Sequence, residues 1–296
     1  MSIYTSVSEV SGRPATVWPV RLSSAATGQA IAGAFARLQA SAQRLGWPML
    51  AGISLPVGLL AIWSLAVHLQ LLAPQILPAP SLVWTTTTEL LFSGELLFEL
   101  SVSLARLFVG LLIGSLLGFA FGVAFATSRA LDSYVAPSVR AIFLVPSLGW
   151  LPFFMLFFGI GETLKVILIA KTCFLPLMVG AFSSIRTMPS KYNEVAKCLE
   201  LGRLAYFQRI LLPSVVPAAA TGLRQALSKG WKVLILVEMI SSAAGIGYLM
   251  MWGRKSFQLD VVFATMIVIG IVGLLFDRGV LWLENRTAAW SLHTAT

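Results

Sequence analysis

The chain has 296 residues, 57% of them hydrophobic and only 11% charged, with a mean hydropathy of +0.86, a balance that excludes an ordinary soluble globule. Two cysteines, Cys173 and Cys198, exclude a disulfide scaffold, and two histidines leave too few soft ligands for a Cys/His zinc cluster. The formal net charge of +9, which in a soluble protein points to nucleic acid, has to be read by position in a chain this apolar.

Residues 1–28, rich in Ser, Thr, Ala and Gly, read as disordered. At about 30–45, Ile31, Phe35, Leu38, Ala42 and Leu45 recur at helical spacing, with Arg37, Gln39, Gln43 and Arg44 around the other side. This is the pattern of a short amphipathic helix lying on the membrane surface. Six apolar stretches of bilayer-crossing length follow, at 47–69, 100–126, 137–158, 164–184, 215–242 and 261–283. The first begins too late to be the core of a cleaved signal peptide and is expected to stay in the membrane. Ten-residue blocks of alternating polarity are absent, which disfavours a β-barrel. Hydrocarbon offers no water to backbone groups, so the spans are expected to be packed helices. In the second, Gly110, Gly114, Gly118 and Gly122 recur every four residues and form a smooth strip where a neighbouring helix can come close.

The basic residues alternate along this order. Arg13, Arg21, Arg37 and Arg44 precede the first span, and Arg129 and Arg140 join the second to the third. Arg186, Lys191, Lys197, Arg203 and Arg209 join the fourth to the fifth, and Arg278 and Arg286 end the last. Residues 70–99 contain no Lys or Arg and carry Glu89, Glu95 and Glu99, while the last outer loop holds Arg254 and Lys255. Both termini are therefore expected in the cytoplasm, so that most of the positive charge is a topology signal and nucleic acid is not expected as a partner.

The segment 189–213, PSKYNEVAKCLELGRLAYFQRILLP, is the longest polar stretch between spans. Ser190 or Asn193 can cap a short helix whose apolar side carries Val195, Leu199 and Tyr206, with Glu194, Lys197, Glu200 and Arg203 facing elsewhere. A short amphipathic helix held between two spans suits docking into a groove on another protein; a solvated or membrane-surface linker is the alternative.

Glu194 and Ala196, followed by Ile210 and the pair Leu212–Pro213, resemble the cytoplasmic coupling loop of ABC importer permeases, in which Glu-Ala-Ala is followed by three residues, Gly, nine residues, Ile, one residue and Leu-Pro. Val195 replaces the first Ala, and Glu200 stands where Gly is expected, with Gly202 two positions later. The resemblance extends over about residues 76–288 and is closest to permeases of the nitrate/sulfonate/taurine type. It is carried by ILPAPSLVW (76–84), the run at 103–132, VPSLGWLPFFMLFFGIGETLK (145–165), VVPAAATGLR (215–224), the Trp231-to-Glu238 spacing, and GIGYL (245–249) followed by DVVFATMIVIGIVGLLFDR (260–278).

The resemblance implies an all-α integral membrane protein of six transmembrane helices with the type I ABC importer (MetI-like) permease fold, in a bacterial inner membrane. Residues 1–46 would be a cytoplasmic N-terminal segment, 47–286 the transmembrane domain with coupling loop 189–213, and 287–296 a cytoplasmic tail. It also implies a homodimer served by two cytoplasmic ATPases and by a periplasmic or lipid-anchored substrate-binding protein. The chain lacks a Gly-rich phosphate loop ending in Gly-Lys-Ser/Thr, so ATP and Mg are expected on the partner ATPase, with no cofactor, metal or catalytic residue of its own. Coupling to the ATPase is expected through Glu194, Val195, Ala196, Leu199, Glu200, Gly202 and Tyr206. Pro213 is expected to stop that helix and set the angle of the fifth span, since proline disrupts a continuous helix by roughly 3 kcal/mol.

Charges inside spans cost about 2.5–3.5 kcal/mol each at the helix centre and so need a partner or a water-filled path. Arg106 and Arg224 suit packing or anchoring near span ends. Lys229 and Lys232, one helical turn apart in the fifth span, either line a path for an anion or pair internally with Glu238. Glu238, two turns beyond Trp231, is either a counter-ion or a gate, and Lys171 in the fourth span is a weaker pathway residue of the same kind. The substrate reading is a small anion, organosulfonate or taurine ahead of nitrate or bicarbonate. The competing classes are an ion-gradient-driven carrier and an intramembrane enzyme; the first lacks intramembrane acids other than Glu238, and the second lacks a nucleophile or carboxylate pair beside His68 or His293.

Overall fold

The computed structural model describes residues 47–71, 73 and 76–292, and all regular structure among them is helical. The expected surface helix at 30–45 lies outside the described residues. Two compact units divide the chain at residues 62 and 63. Of the first, the described part is the start of helix α1 (Trp47–His68), an apolar run interrupted by Pro56.

In the second unit, the Trp63 indole donates to the Pro78 carbonyl at 3.1 Å and stacks on Phe263. Helix α2 (Pro80–Phe92) begins with proline in the first turn, where a missing N–H costs nothing, and ends at a turn through Gly94, φ +80°. Helix α3 (Glu95–Thr127) follows, then the short helices α4 (Arg129–Tyr134) and α5 (Ala136–Leu144). A 3₁₀ turn at Ser147–Trp150 leads to α6 (Leu151–Phe158), and α7 is Glu162–Arg186.

The glycine strip of α3 meets α7. A methyl group added at Gly114 would lie 2.2 Å from the Ala170 carbonyl oxygen, and one at Gly118 2.2 Å from that of Phe174. The backbones therefore touch along a ladder of four-residue steps, as expected for a small-residue helix pair. Leu107, Ile169, Cys173, Trp231, Leu234, Ile246 and Leu249 fill the core where these helices meet residues 231–249.

The third expected span, 137–158, is not one helix. The chain breaks after α5, and the axes on the two sides differ by 93°. The cause is Pro146, which forces Val145 out of the helical region to ψ 123°. On the way into this bend, Asp132 of α4 binds Arg140 and Arg186, and both guanidiniums lie over the Phe182 ring, fixing α4 and α5 to the end of α7.

After α7 come α8 (Ser190–Cys198) and α9 (Arg203–Tyr206). Beyond α9 a π turn at Phe207–Leu211 runs directly into α10 (Leu212–Ser241). Helices α11 (Ile246–Lys255) and α12 (Leu259–Leu292) complete the described chain, with helix continuing past residue 287. Among the described residues, four helices are long and apolar enough to cross a membrane, and the α5–α6 pair makes a fifth if a bent pair is one span. The remaining expected span corresponds to α1, whose apolar described part, Ser54–His68, is shorter.

Candidate functional site

The loop between α7 and α10 is held by backbone geometry. Helix α8 starts from Pro189 with no side-chain cap, so the expected capping by Ser190 or Asn193 is not its start. It ends in a Schellman motif: Leu201 N–H donates to the Ala196 carbonyl and Glu200 N–H to that of Lys197. Glu200 therefore occupies the left-handed position, at φ +45°, that glycine would take at no conformational cost. The left-handed residue of the turn is thus Glu200, while Gly202 has no positive φ and open space around it.

Pro213 does not stop a helix. Leu212 N–H donates to the Phe207 carbonyl, five residues back, and this π step absorbs the donor that proline lacks, so helix continues from α9 into α10. Ala196 is buried and shares a cavity wall with Lys197, Glu200, Leu201 and Tyr206. Tyr206 also packs against Ala181, Leu211 and Val215. Outside, Tyr192, Val195, Leu199 and Leu204 stand exposed beside Glu194, an apolar patch with acidic and basic edges.

At the opposite end of α7 lies a lattice of charge. Residues 99, 103 and 106 share one face of α3, being spaced by one helical turn each, and all three are buried. Arg106 donates through Nε and Nη2 to both oxygens of Glu162, at 2.5 and 2.7 Å. Through Nη1 it donates to Glu238 at 2.7 Å and to the Ala244 carbonyl at 2.6 Å. Lys165, one turn along α7, donates to Glu162 at 2.8 Å. Glu238, 1% exposed, also accepts from Ser103 Oγ and from Gly247 N–H. Glu99 accepts from Gly245 N–H, and Ser103 from Ile246 N–H, so the start of α11 is clasped by three side chains. Gly245 is required there: φ is +115°, and a methyl group would lie 2.4 Å from the Glu238 carboxyl. A cavity of about 480 Å³ opens onto Arg106, Glu162, Lys165 and the backbone at 240–244.

Lys229 and Lys232 do not join this lattice. They lie on the exposed face of α10 with Gln225, Leu236 and Ile240, and neither has an ion pair among the described residues. Pairing of these lysines with Glu238 is therefore excluded, because Glu238 faces inward to Arg106. Trp231 is buried, its indole donating to the Ile269 carbonyl at 3.2 Å. Arg224 bridges α10 to α12 through Asp277 at 2.9 Å and Glu284 at 3.5 Å. Lys171 reaches back to the bend, donating to the Val145 carbonyl that the break leaves without a helical partner and lying over the Phe143 and Trp150 rings.

Glu99, Ser103, Glu162 and Lys165 are the residues that intramembrane charge counting missed. Glu162 and Lys165 straddle the edge of an expected span, where a charge costs little. The available signal was the one-turn spacing of Glu99, Ser103 and Arg106 on a helix whose next face residue is Gly110.

The family described as "binding-protein-dependent transport system inner membrane component" matches residues 110–289. A putative aliphatic sulfonates transport permease protein of Bacillus subtilis (strain 168) is 34% identical over 84% of this chain and 89% of its own length. A protein of the same description from Escherichia coli (strain K12) is 37% identical over 80% of this chain and 90% of its own length. Among solved structures, a chain of the inward-facing MetNI methionine ABC transporter superposes with a TM-score of 0.54 at 15% identity, over 62% of this chain and 92% of that one, a likeness of fold.

Proposed function

This chain belongs to the family of binding-protein-dependent transport system inner membrane components, it is the multi-pass permease subunit of an ABC importer, and from that premise we propose that it carries a small organosulfonate inward. The observation that carries the substrate class is the pair Lys229 and Lys232. Two ammonium groups on an uncovered face of a membrane helix are costly against lipid, and they become favourable against a water-filled path that concentrates anions. A second copy of the chain, placed with this face toward the first, gives that path four lysines. The names of the two sulfonate permease relatives support organosulfonate over other anions.

The energy enters at the other end. The exposed residues Glu194 and Val195 of α8, with Leu199 just after it, dock on a cytoplasmic ATPase that binds ATP and Mg, while buried Ala196 and half-buried Tyr206 hold the docking helix against α10. Because α9 and α10 form one continuous helix, a push on the loop moves the lysine-bearing helix directly. Both termini lie in the cytoplasm, and a substrate-binding protein delivers the anion to the end of the bundle that holds the charge lattice. The test is ATP-driven uptake into vesicles containing the permease, its ATPase and its binding protein. Taurine or a short alkanesulfonate is expected to accumulate and to be insensitive to excess nitrate; uptake of nitrate in preference overturns the substrate assignment. Glu194→Arg is expected to leave the chain folded and to abolish uptake.

A further inference from the structure

We propose that Arg106 and Lys165 form an anion-receiving site at the lattice end of the bundle, and that Glu162 is an internal carboxylate occupying it until a sulfonate takes its place. The inference rests on the anion reading above. Both cations are almost wholly buried, Arg106 at 7% and Lys165 at 3% exposure, and both are directed at one carboxylate. That carboxylate receives three N–H donors, two from the guanidinium fork and one from the ammonium. A sulfonate presents three equivalent oxygens at the end of one carbon, so the same three donors suit it without rearrangement. The donors open onto the 480 Å³ cavity, within the roughly 300–1,000 Å³ range of small-ligand sites.

The two carboxylates around Arg106 are held very differently. Glu238 is sealed in by Ser103, Gly247 and the guanidinium, and it stays as the permanent counter-ion. The Glu162 side chain is 62% exposed and stands in the first turn of α7, next to Gly161, where nothing lies within 4 Å of an added methyl group. It swings into water without opening the core. When an anion replaces it, the number of negative partners is unchanged: Arg106 still faces the Glu238 carboxylate and one anion, and Lys165 still faces one anion. The arrangement keeps two buried cations satisfied between substrates and makes occupancy by an anion, not by a neutral molecule, the condition for releasing Glu162.

The test uses the full chain in lipid nanodiscs, with methanesulfonate as the probe and calorimetric titration as the readout. Glu162→Gln removes the competitor and is expected to tighten binding about tenfold relative to the unsubstituted chain. Adding Lys165→Met is expected to cancel the gain. Equal affinity of Glu162→Gln and the unsubstituted chain, with matching thermal unfolding, overturns the proposal. Should Glu162→Gln fail to fold, Glu162→Asp withdraws the carboxylate by one methylene and is expected to give a smaller gain; no gain there overturns the proposal equally. Binding of an acidic peptide with no binding of methanesulfonate makes the site a protein contact and overturns it too. Sulfonate uptake that persists while the Glu162→Gln gain is absent overturns this site alone, and a gain seen with nitrate in place of methanesulfonate overturns the substrate assignment alone.

Discussion

Two sets of cations in this bundle meet opposite surroundings. Arg106 and Lys165 lie in a lattice where Arg106 faces Glu162 and Glu238 and Lys165 faces Glu162, whereas Lys229 and Lys232 stand on an uncovered helix face with no ion pair among the described residues. A buried charge that serves the fold brings its counter-ion with it, because the alternative costs several kcal/mol. A charge left open in a membrane helix has to be completed from outside the chain, by water, substrate or a second subunit. The same division runs through the carboxylates: Glu238 is inside and permanent, and Glu162 is outside and replaceable.

The sharpest way to break this comparison is to remove one partner from the sealed pair. Glu238→Ala leaves the Arg106 guanidinium without its buried counter-ion and the amide of Gly247 without an acceptor. We expect a loss of about 3–5 kcal/mol, read as a lowered thermal unfolding midpoint of the purified chain in nanodiscs. Arg106→Met combined with Glu238→Met is expected to recover most of that loss, since no unpaired charge is then left inside. Similar destabilisation in the single and double variants would place the cost in packing around α11 and not in the charge.

A second, smaller effect belongs to the other end of α7. Glu200 holds a left-handed conformation that glycine adopts freely, so Glu200→Gly is expected to stabilise the chain by about 1 kcal/mol, while Gly202→Ala is expected to change little. Thermal unfolding of the two variants in parallel checks this. The reverse ranking would mean that Gly202, and not Glu200, is the turn residue between α8 and α9.

Glu200 also shows where the sequence was legible. The resemblance to the permease motif put it where glycine is expected, with Gly202 two positions later as the other choice, but its positive φ is set by the two Schellman hydrogen bonds, which pattern does not reveal. The glycine strip of α3 was legible because its four-residue period is a local property that the packed helix α7 simply confirms. The bend before Pro146 was not, because residues on both sides are equally apolar and hydropathy carries no direction; the proline itself was the signal. The lattice was least legible. Its members come from residues 99–106, 162–165 and 238–247, and only the packing of α3, α7, α10 and α11 brings them together.

The smallest expected stability effect is the most discriminating. Lys229→Met with Lys232→Met removes two charges from the exposed face of α10, and because neither has an ion pair among the described residues, thermal stability is expected to change by less than about 0.5 kcal/mol. Transport is another matter. With four positive charges gone from the proposed two-copy path, the local concentration of an anion falls, and sulfonate uptake is expected to drop by about tenfold or more at low salt and by less at high salt, where the field is screened. The two measurements have to be made on one preparation, since their disagreement is the result that matters. A large stability loss would mean that these lysines are internal structural charges like Arg106, and unchanged uptake at every salt concentration would take them out of the anion path.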